Sequence, residues 1–202
     1  MSVIKRHLTL PAKVAVSMFA IAFVPIVVSA ASSTANTVIN ASINAAINMT
    51  TSSTVTVSII PTPGGSVSSS SDTVSVSTNN PLGYTLTLAD NDTNTNLVNG
   101  ANNIAAHSGT QASPTTLSNN TWGYRVDGVG GFGAGPTSAE TNNASSTSIW
   151  AGVPSSASPI TLKTTSSTAT NDITTVWYGV RATTTVPNGT YTDTVTYTAT
   201  TN

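Results

Sequence analysis

TTVWYGVRATTTVPNGTYTDTVTYTAT, residues Thr174 to Thr200, carries the clearest pattern in this chain of 202 residues. Val176, Tyr178, Val180 and Ala182 alternate with other residues, as do Tyr191, Val195, Tyr197 and Ala199. A period of two belongs to a strand with one buried face. Between the runs stands Val186-Pro187-Asn188-Gly189, where proline presets one turn dihedral and glycine tolerates positive φ. The expectation is a closing β-hairpin. Pairing Val186 with Gly189 puts Val180 opposite Val195, Tyr178 opposite Tyr197 and Val176 opposite Ala199. Thr194, Thr196, Thr198 and Thr200 then line the other face. A bulged turn would shift the register by one and bring Trp177 onto the face of Tyr197. The first register is preferred, and so long a hairpin needs a second layer over its apolar face.

The opposite end reads as an export signal. Lys5, Arg6 and Lys13 precede an apolar run from Val14 to Val28, and Val28-Ser29-Ala30 offers small residues spaced like a cleavage site. Residues 1–30 are expected to be a signal peptide with a signal helix. An uncleaved anchor is the other reading, although Pro25 and a run shorter than the roughly 20 residues of a spanning helix favour cleavage. Residues 31–202 are then the length of one ordinary domain. Three of the six basic residues lie in the signal, so Arg125, Lys163 and Arg181 face seven acidic residues in the remainder. Without clustered Lys or Arg, binding to nucleic acid is not expected. There is no cysteine, which excludes disulfides, thiol catalysis, thiolate metal sites and a lipidated N-terminal cysteine.

Thr, Ser and Asn dominate the mature region while Lys and Glu are nearly absent, which suits strands and turns and not surface helices. Ile39, Ala41, Ile43, Ala45, Ile47 and Met49 alternate strictly, so a strand is expected there, though the Ala- and Asn-rich composition leaves a helix open. Val55, Val57 and Ile59 read as a second strand, ended by Pro61 to Gly65. A serine-rich turn is expected before Val74 and Val76. After the turn at Thr78–Gly83, Tyr84, Leu86 and Leu88 form a further strand. Trp122, Tyr124 and Val126 alternate again, and Ile160 with Leu162 gives one more. The sum is an all-β, antiparallel sandwich of about eight strands in a single domain over residues 31–202.

The signal segment, STNNPLGYTLTLAD (Ser77–Asp90), NNTWGYRV (Asn119–Val126) and VPNGTYTDTVTYTAT (Val186–Thr200) together resemble secreted surface proteins of ultrasmall, episymbiont-type bacteria. The closing segment alone is similar to immunoglobulin-like and fimbrial-type surface modules. These resemblances imply an immunoglobulin-like sandwich at the cell surface and carry no enzymatic activity with them.

Chemistry is sparse. Gly128 to Gly133 matches G-x-G-x-x-G, but no helical pattern follows to face a pyrophosphate, and Gly135-Pro136 ends the stretch; a flexible surface loop is expected. Asp90-Asn91-Asp92-Thr93-Asn94-Thr95-Asn96 is the best metal candidate, since alternating Asx oxygens can converge on calcium. An EF-hand would need Gly at Thr95 and Glu at Ala101, and Asx loops also cap strand ends unaided. No metal ligands and no cofactor are therefore assigned, and calcium is expected to leave stability unchanged. His107 and Glu140 stand alone in polar loops, His107 expected to be solvated, and no nucleophile motif surrounds a serine, so the protein is read as not an enzyme.

Trp122, Trp150 and Trp177 are the candidate surface-binding residues, because aromatic faces stack on sugars and anchor protein contacts. Core filling is the other reading, with Trp177 the most exposed. Ile39, Ile43 and Ile47 are the candidate assembly strand, able to add to a neighbour's sheet edge; pairing within their own domain is the alternative. The sequence thus points to an exported structural or interaction protein of the cell surface that self-assembles or meets a surface partner. The alternative is an adhesin-like module binding carbohydrate or a host surface.

Overall fold

Alternating threonine, valine and serine give strands throughout: a computed structural model describes residues 30–202, and among them are eleven strands and no helix. The expected signal helix lies outside the described residues. Residues 30–41 have no regular structure and are exposed. Ser42–Asn202 forms a compact unit of its own.

The strands are β1 (Ile47–Thr50), β2 (Ser66–Thr78), β3 (Tyr84–Asp90), β4 (Leu97–Asn99), β5 (Asn102–Ala106) and β6 (Thr115–Thr116). They continue with β7 (Thr121–Arg125), β8 (Ile149–Trp150), β9 (Ile160–Thr164), β10 (Ala169–Ala182) and β11 (Val195–Thr201). A six-stranded sheet runs β1-β2-β10-β7-β5-β4, a three-stranded sheet runs β11-β3-β9, and β6 pairs with β8. All pairings are antiparallel except β5 with β7. The large and small sheets share one core. Val74, Val76, Tyr124, Val176 and Tyr178 enter it from the first, and Tyr84, Leu86, Leu88 and Leu162 from the second. The arrangement is consistent with a β-sandwich, with more strands than the roughly eight expected because several are only two or three residues long.

Periodicity identified the buried faces of the final two strands and missed their partners. β10 and β11 do not form a hairpin. β10 is flanked by β2 and, over Trp177–Arg181, by β7, and β11 pairs instead with β3, with Tyr197 opposite Leu88. Tyr178 and Tyr197 do meet, but across the two layers, hydroxyl to hydroxyl at 2.7 Å. Their apolar faces are stacked and not side by side.

Three other expectations are corrected. The serine run is not a turn: Ser66 to Ser71 lies in β2, paired with Ala182 to Trp177 of β10. It tolerates burial because a crossing loop satisfies its hydroxyls, with Ser69 Oγ accepting from the Glu140 amide and Ser68 Oγ from the Asn142 amide. The strand expected over Ile39–Met49 is only Ile47–Thr50. Its partner β2 ends at Thr78, opposite Ile47, and Asn79 ties off the ladder through bonds to Ala46 and Asn44. Val55, Val57 and Ile59 rest half-buried on the core with exposed residues between them, yet the segment joins no sheet.

A second, smaller cluster lies on the opposite face of the large sheet, where Trp150 packs with Val67, Leu117 and the half-buried Trp177. Gly179 in mid-β10 makes room for it, since a Cβ there would lie 2.8 Å from the Trp150 ring. Replacing Gly179 with alanine should therefore overpack this site by about 1–3 kcal/mol. The expected result is a lower urea midpoint with an unchanged slope, and a variant as stable as the parent would contradict the packing.

Candidate functional site

Two of the three expected surface tryptophans are interior residues. Trp150 is 0% exposed over Gly179. Trp122 is 4% exposed, stacks near Tyr178 with ring centroids 6.4 Å apart, and donates its indole N–H to the Thr95 carbonyl at 2.9 Å. Large rings contribute most when removed from water, and the loops over Trp150 and Trp122 do that. Trp177 alone keeps part of its surface.

Trp177 is the direct register partner of Arg125, so both side chains project from the same face of the large sheet. There a cleft of about 500 Å³ opens between Arg125, Thr137, Glu140, Asn143 and Ser148. Its charged groups are held in place. Arg125 Nε donates to Asp127 at 3.0 Å and to Thr137, and its guanidinium lies 5.9 Å from the Phe132 ring centre. Glu140, the only glutamate, accepts from Asn143 at 2.7 Å and Ser146 at 2.9 Å, and also from Ser148. The glycine-rich loop beside it is anchored, because Phe132 is 2% exposed and packs edge-on against Tyr124. Hydroxyls, an amide, a guanidinium and a carboxylate line this open cleft, most of them bonded to one another.

The acidic loop takes a different form from the one its spacing suggested. Asp90 Oδ1 accepts from the Asp92 amide at 2.9 Å and Asp92 Oδ1 from the Asn94 amide at 2.6 Å, the Asx caps of a strand end. Asp193, remote in sequence, is brought against Asp90 because β11 pairs with β3 and the Asn91 amide donates to the Thr194 carbonyl. Burial, together with Asp90 and Asp92 beside it, pushes the Asp193 carboxyl well above the usual carboxylate range. Among the described residues no three His, Asp or Glu side chains converge as a metal cluster. His107 is not solvated as expected: it is 5% exposed, bonded to the Thr115 hydroxyl at 2.8 Å, and its burial favours the neutral ring.

Of the expected assembly residues, Ile47 is half-buried in β1 and packs on its own core. Ile39 and Ile43 are 84% and 86% exposed, and Val38 is 80% exposed. β11 is an outer strand of the small sheet and pairs without a bulge from Val195 to Thr201. It carries no charged residue and no proline, the devices that usually guard a sheet edge.

The cleft wall should be acid-sensitive. Burial raises the Asp127 pKa, but the Thr137 hydroxyl and amide and the Arg125 guanidinium outweigh it and hold the carboxyl below its ordinary value. A group depressed on folding stabilises the protein above its unfolded value and loses that contribution as pH falls through the folded one. Thr137→Val should therefore cost about 1 kcal/mol near neutrality. Urea unfolding of parent and variant should show that gap closing below about pH 4; a gap independent of pH would count against the assignment. No family model, curated protein or solved structure matches this chain, so the site stands on its own geometry.

Proposed function

We propose that this chain is an exported, non-enzymatic cell-surface protein with a structural or interaction role, and that its copies join by strand addition. The observation that carries the reading is the exposed alternation running into β1, with Val38, Ile39 and Ile43 all at least 80% exposed. An uncharged segment of this pattern, extended on binding, would match the open, uncharged edge of β11 in a second copy, where backbone hydrogen bonds would join them. Export rests on the basic, apolar and small-residue order of residues 1–30. The likeness to secreted surface proteins of episymbiont-type bacteria belongs to the same reading, as does the immunoglobulin-like type of the sandwich. Successive crossings between the sheets, β2 to β3, β9 to β10 and β10 to β11, support that type. The non-enzymatic reading is supported by His107 being buried against Thr115 and by Glu140 being occupied on both oxygens.

The open polar cleft beside Arg125 favours one alternative, an adhesin-like module that binds carbohydrate or a host surface.

Removing residues 32–45 from the mature chain leaves β1 intact and tests the assembly reading. The parent should form concentration-dependent oligomers or filaments in sedimentation and electron microscopy. The shortened chain should stay monomeric with the same thermal transition. A parent that remains monomeric, or a shortened chain that polymerises as well, removes the proposal. Saccharide retention by the shortened monomer on a glycan array would support the alternative.

A further inference from the structure

Asp90 at the end of β3 and Asp193 just before β11 bury two oxygens that no protein donor serves. Asp90 is 1% exposed, and Asp90 Oδ2 and Asp193 Oδ2 are both buried without a donor among the described residues. Their other oxygens are satisfied, Asp90 Oδ1 by the Asp92 amide at 2.9 Å and Asp193 Oδ1 by the Thr194 amide at 2.7 Å. The β3–β11 ladder begins with Val195 opposite Asp90, which brings the two carboxyls within hydrogen-bonding reach of each other. Two bare acceptors in one buried place repel, and each lacks the water it gave up. A single proton held between them answers both deficits, because one carboxyl becomes a donor and the other accepts from it. Nothing nearby supplies a positive charge instead. Asp92 is the further charged group acting on Asp193, and it is negative. β4, which meets the approach to β11 at the Val98–Thr192 bridge, carries no titratable side chain, nor does the Pro154–Ser156 stretch bonded to the backbone of Asp90 and Asp92. Tyr191 turns to the Pro187 carbonyl. Lys163 is bound to Asp172, Arg125 to Asp127, and Arg181 to Asn119.

We infer that Asp90 and Asp193 form a proton-operated clasp: with the proton in place it fastens the start of β11 to the end of β3, and loss of the proton loosens that junction. The Asn91 amide donates to the Thr194 carbonyl at 2.9 Å, so a backbone bond between the two strands sits directly beside the pair. Burial, with Asp90 and Asp92 beside it, outweighs the Thr194 amide and pushes the Asp193 carboxyl up to about 7. A group raised on folding contributes stability that is complete below its unfolded value, about 4 for Asp, and that is lost as pH rises through its folded value. The clasp is thus closed in mildly acidic surroundings and released above neutrality. His107 pulls the other way, since its burial favours the neutral ring and costs stability as pH falls. The clasp works within one chain and needs no second copy, so it stands or falls separately from strand addition.

Asp193→Asn provides the test, because an amide keeps the shape of the protonated carboxyl: its oxygen still accepts from Thr194, while its nitrogen donates to Asp90 at every pH. Urea unfolding of the mature chain should show parent and variant differing least at about pH 5, with the parent's folded-to-unfolded ratio then falling behind by up to about tenfold per pH unit until the pair has ionised. His107 is common to both chains and cancels in the comparison. Carboxyl-carbon NMR should show Asp193 titrating near neutrality. Above neutrality the Asn91 amide, corrected for its intrinsic exchange rate, should exchange faster in the parent than in the variant. An Asp193 carboxyl that titrates in the ordinary carboxylate range, a stability gap that does not widen with pH, or an Asn91 amide equally protected in both chains overturns the proposal. If the variant fails to fold, the carboxyl titration of the parent and the pH course of its Asn91 exchange decide the matter by themselves.

Discussion

One ladder governs the rest of the molecule. β2 and β10 run antiparallel from Ser66 opposite Ala182 to Thr78 opposite Ala169, with a single irregularity between Ala169 and Asp172. Because β7 takes the other side of β10 over Trp177–Arg181, the chain leaving Ala182 does not fold back alongside β10; it touches β4 through a Val98–Thr192 bridge and then pairs with β3. That crossing brings the Tyr197 hydroxyl to the Tyr178 hydroxyl, and it also carries Asp193 to the end of β3. The core, the tyrosine pair and the acidic pair thus follow from the second half of β10 having a neighbour on each side.

Low charge has two opposite effects in this chain. It lets small hydroxyls stand where charged side chains usually would, so the loop from Thr137 to Ser148 can lie against β2, fixed by Ser68, Ser69 and Glu140. It also leaves little to guard exposed strands or to neutralise buried acids. The open edge of β11 and the lack of a cation beside Asp90 and Asp193 both arise from a described region with three basic side chains, all of them engaged.

What could be read in the sequence was which residues face inward. Val74, Val76, Tyr84, Leu86, Leu88, Val176, Tyr178 and Val180 alternate, and all are in the core. Period two specifies a face, but it does not say which strand lies alongside. The proline–glycine turn therefore suggested a hairpin, when local turn chemistry was outweighed by the pairing of β10 with β2 and β7. Ser66–Ser71 looked like a turn because nothing local shows that a distant loop will satisfy its hydroxyls. Trp122 and Trp150 carry no local sign of burial for the same reason, since the residues that cover them, Thr95 for one and Val67 with Leu117 for the other, are far away in sequence. The acidic loop was found by its spacing, while Asp193 could be found only from the topology.

Trp150 lying on Gly179 has one more implication. With apolar residues beneath and an indole above, the middle of β10 is dry on both faces, and its amides bond to neighbours on both sides. Such amides exchange with solvent only when the whole unit opens, whereas those of β11, on an outer edge, exchange through local fraying. The two halves of a segment that reads as one hairpin would then differ most in their lifetimes, and the slowest protons in the protein would report the global unfolding equilibrium.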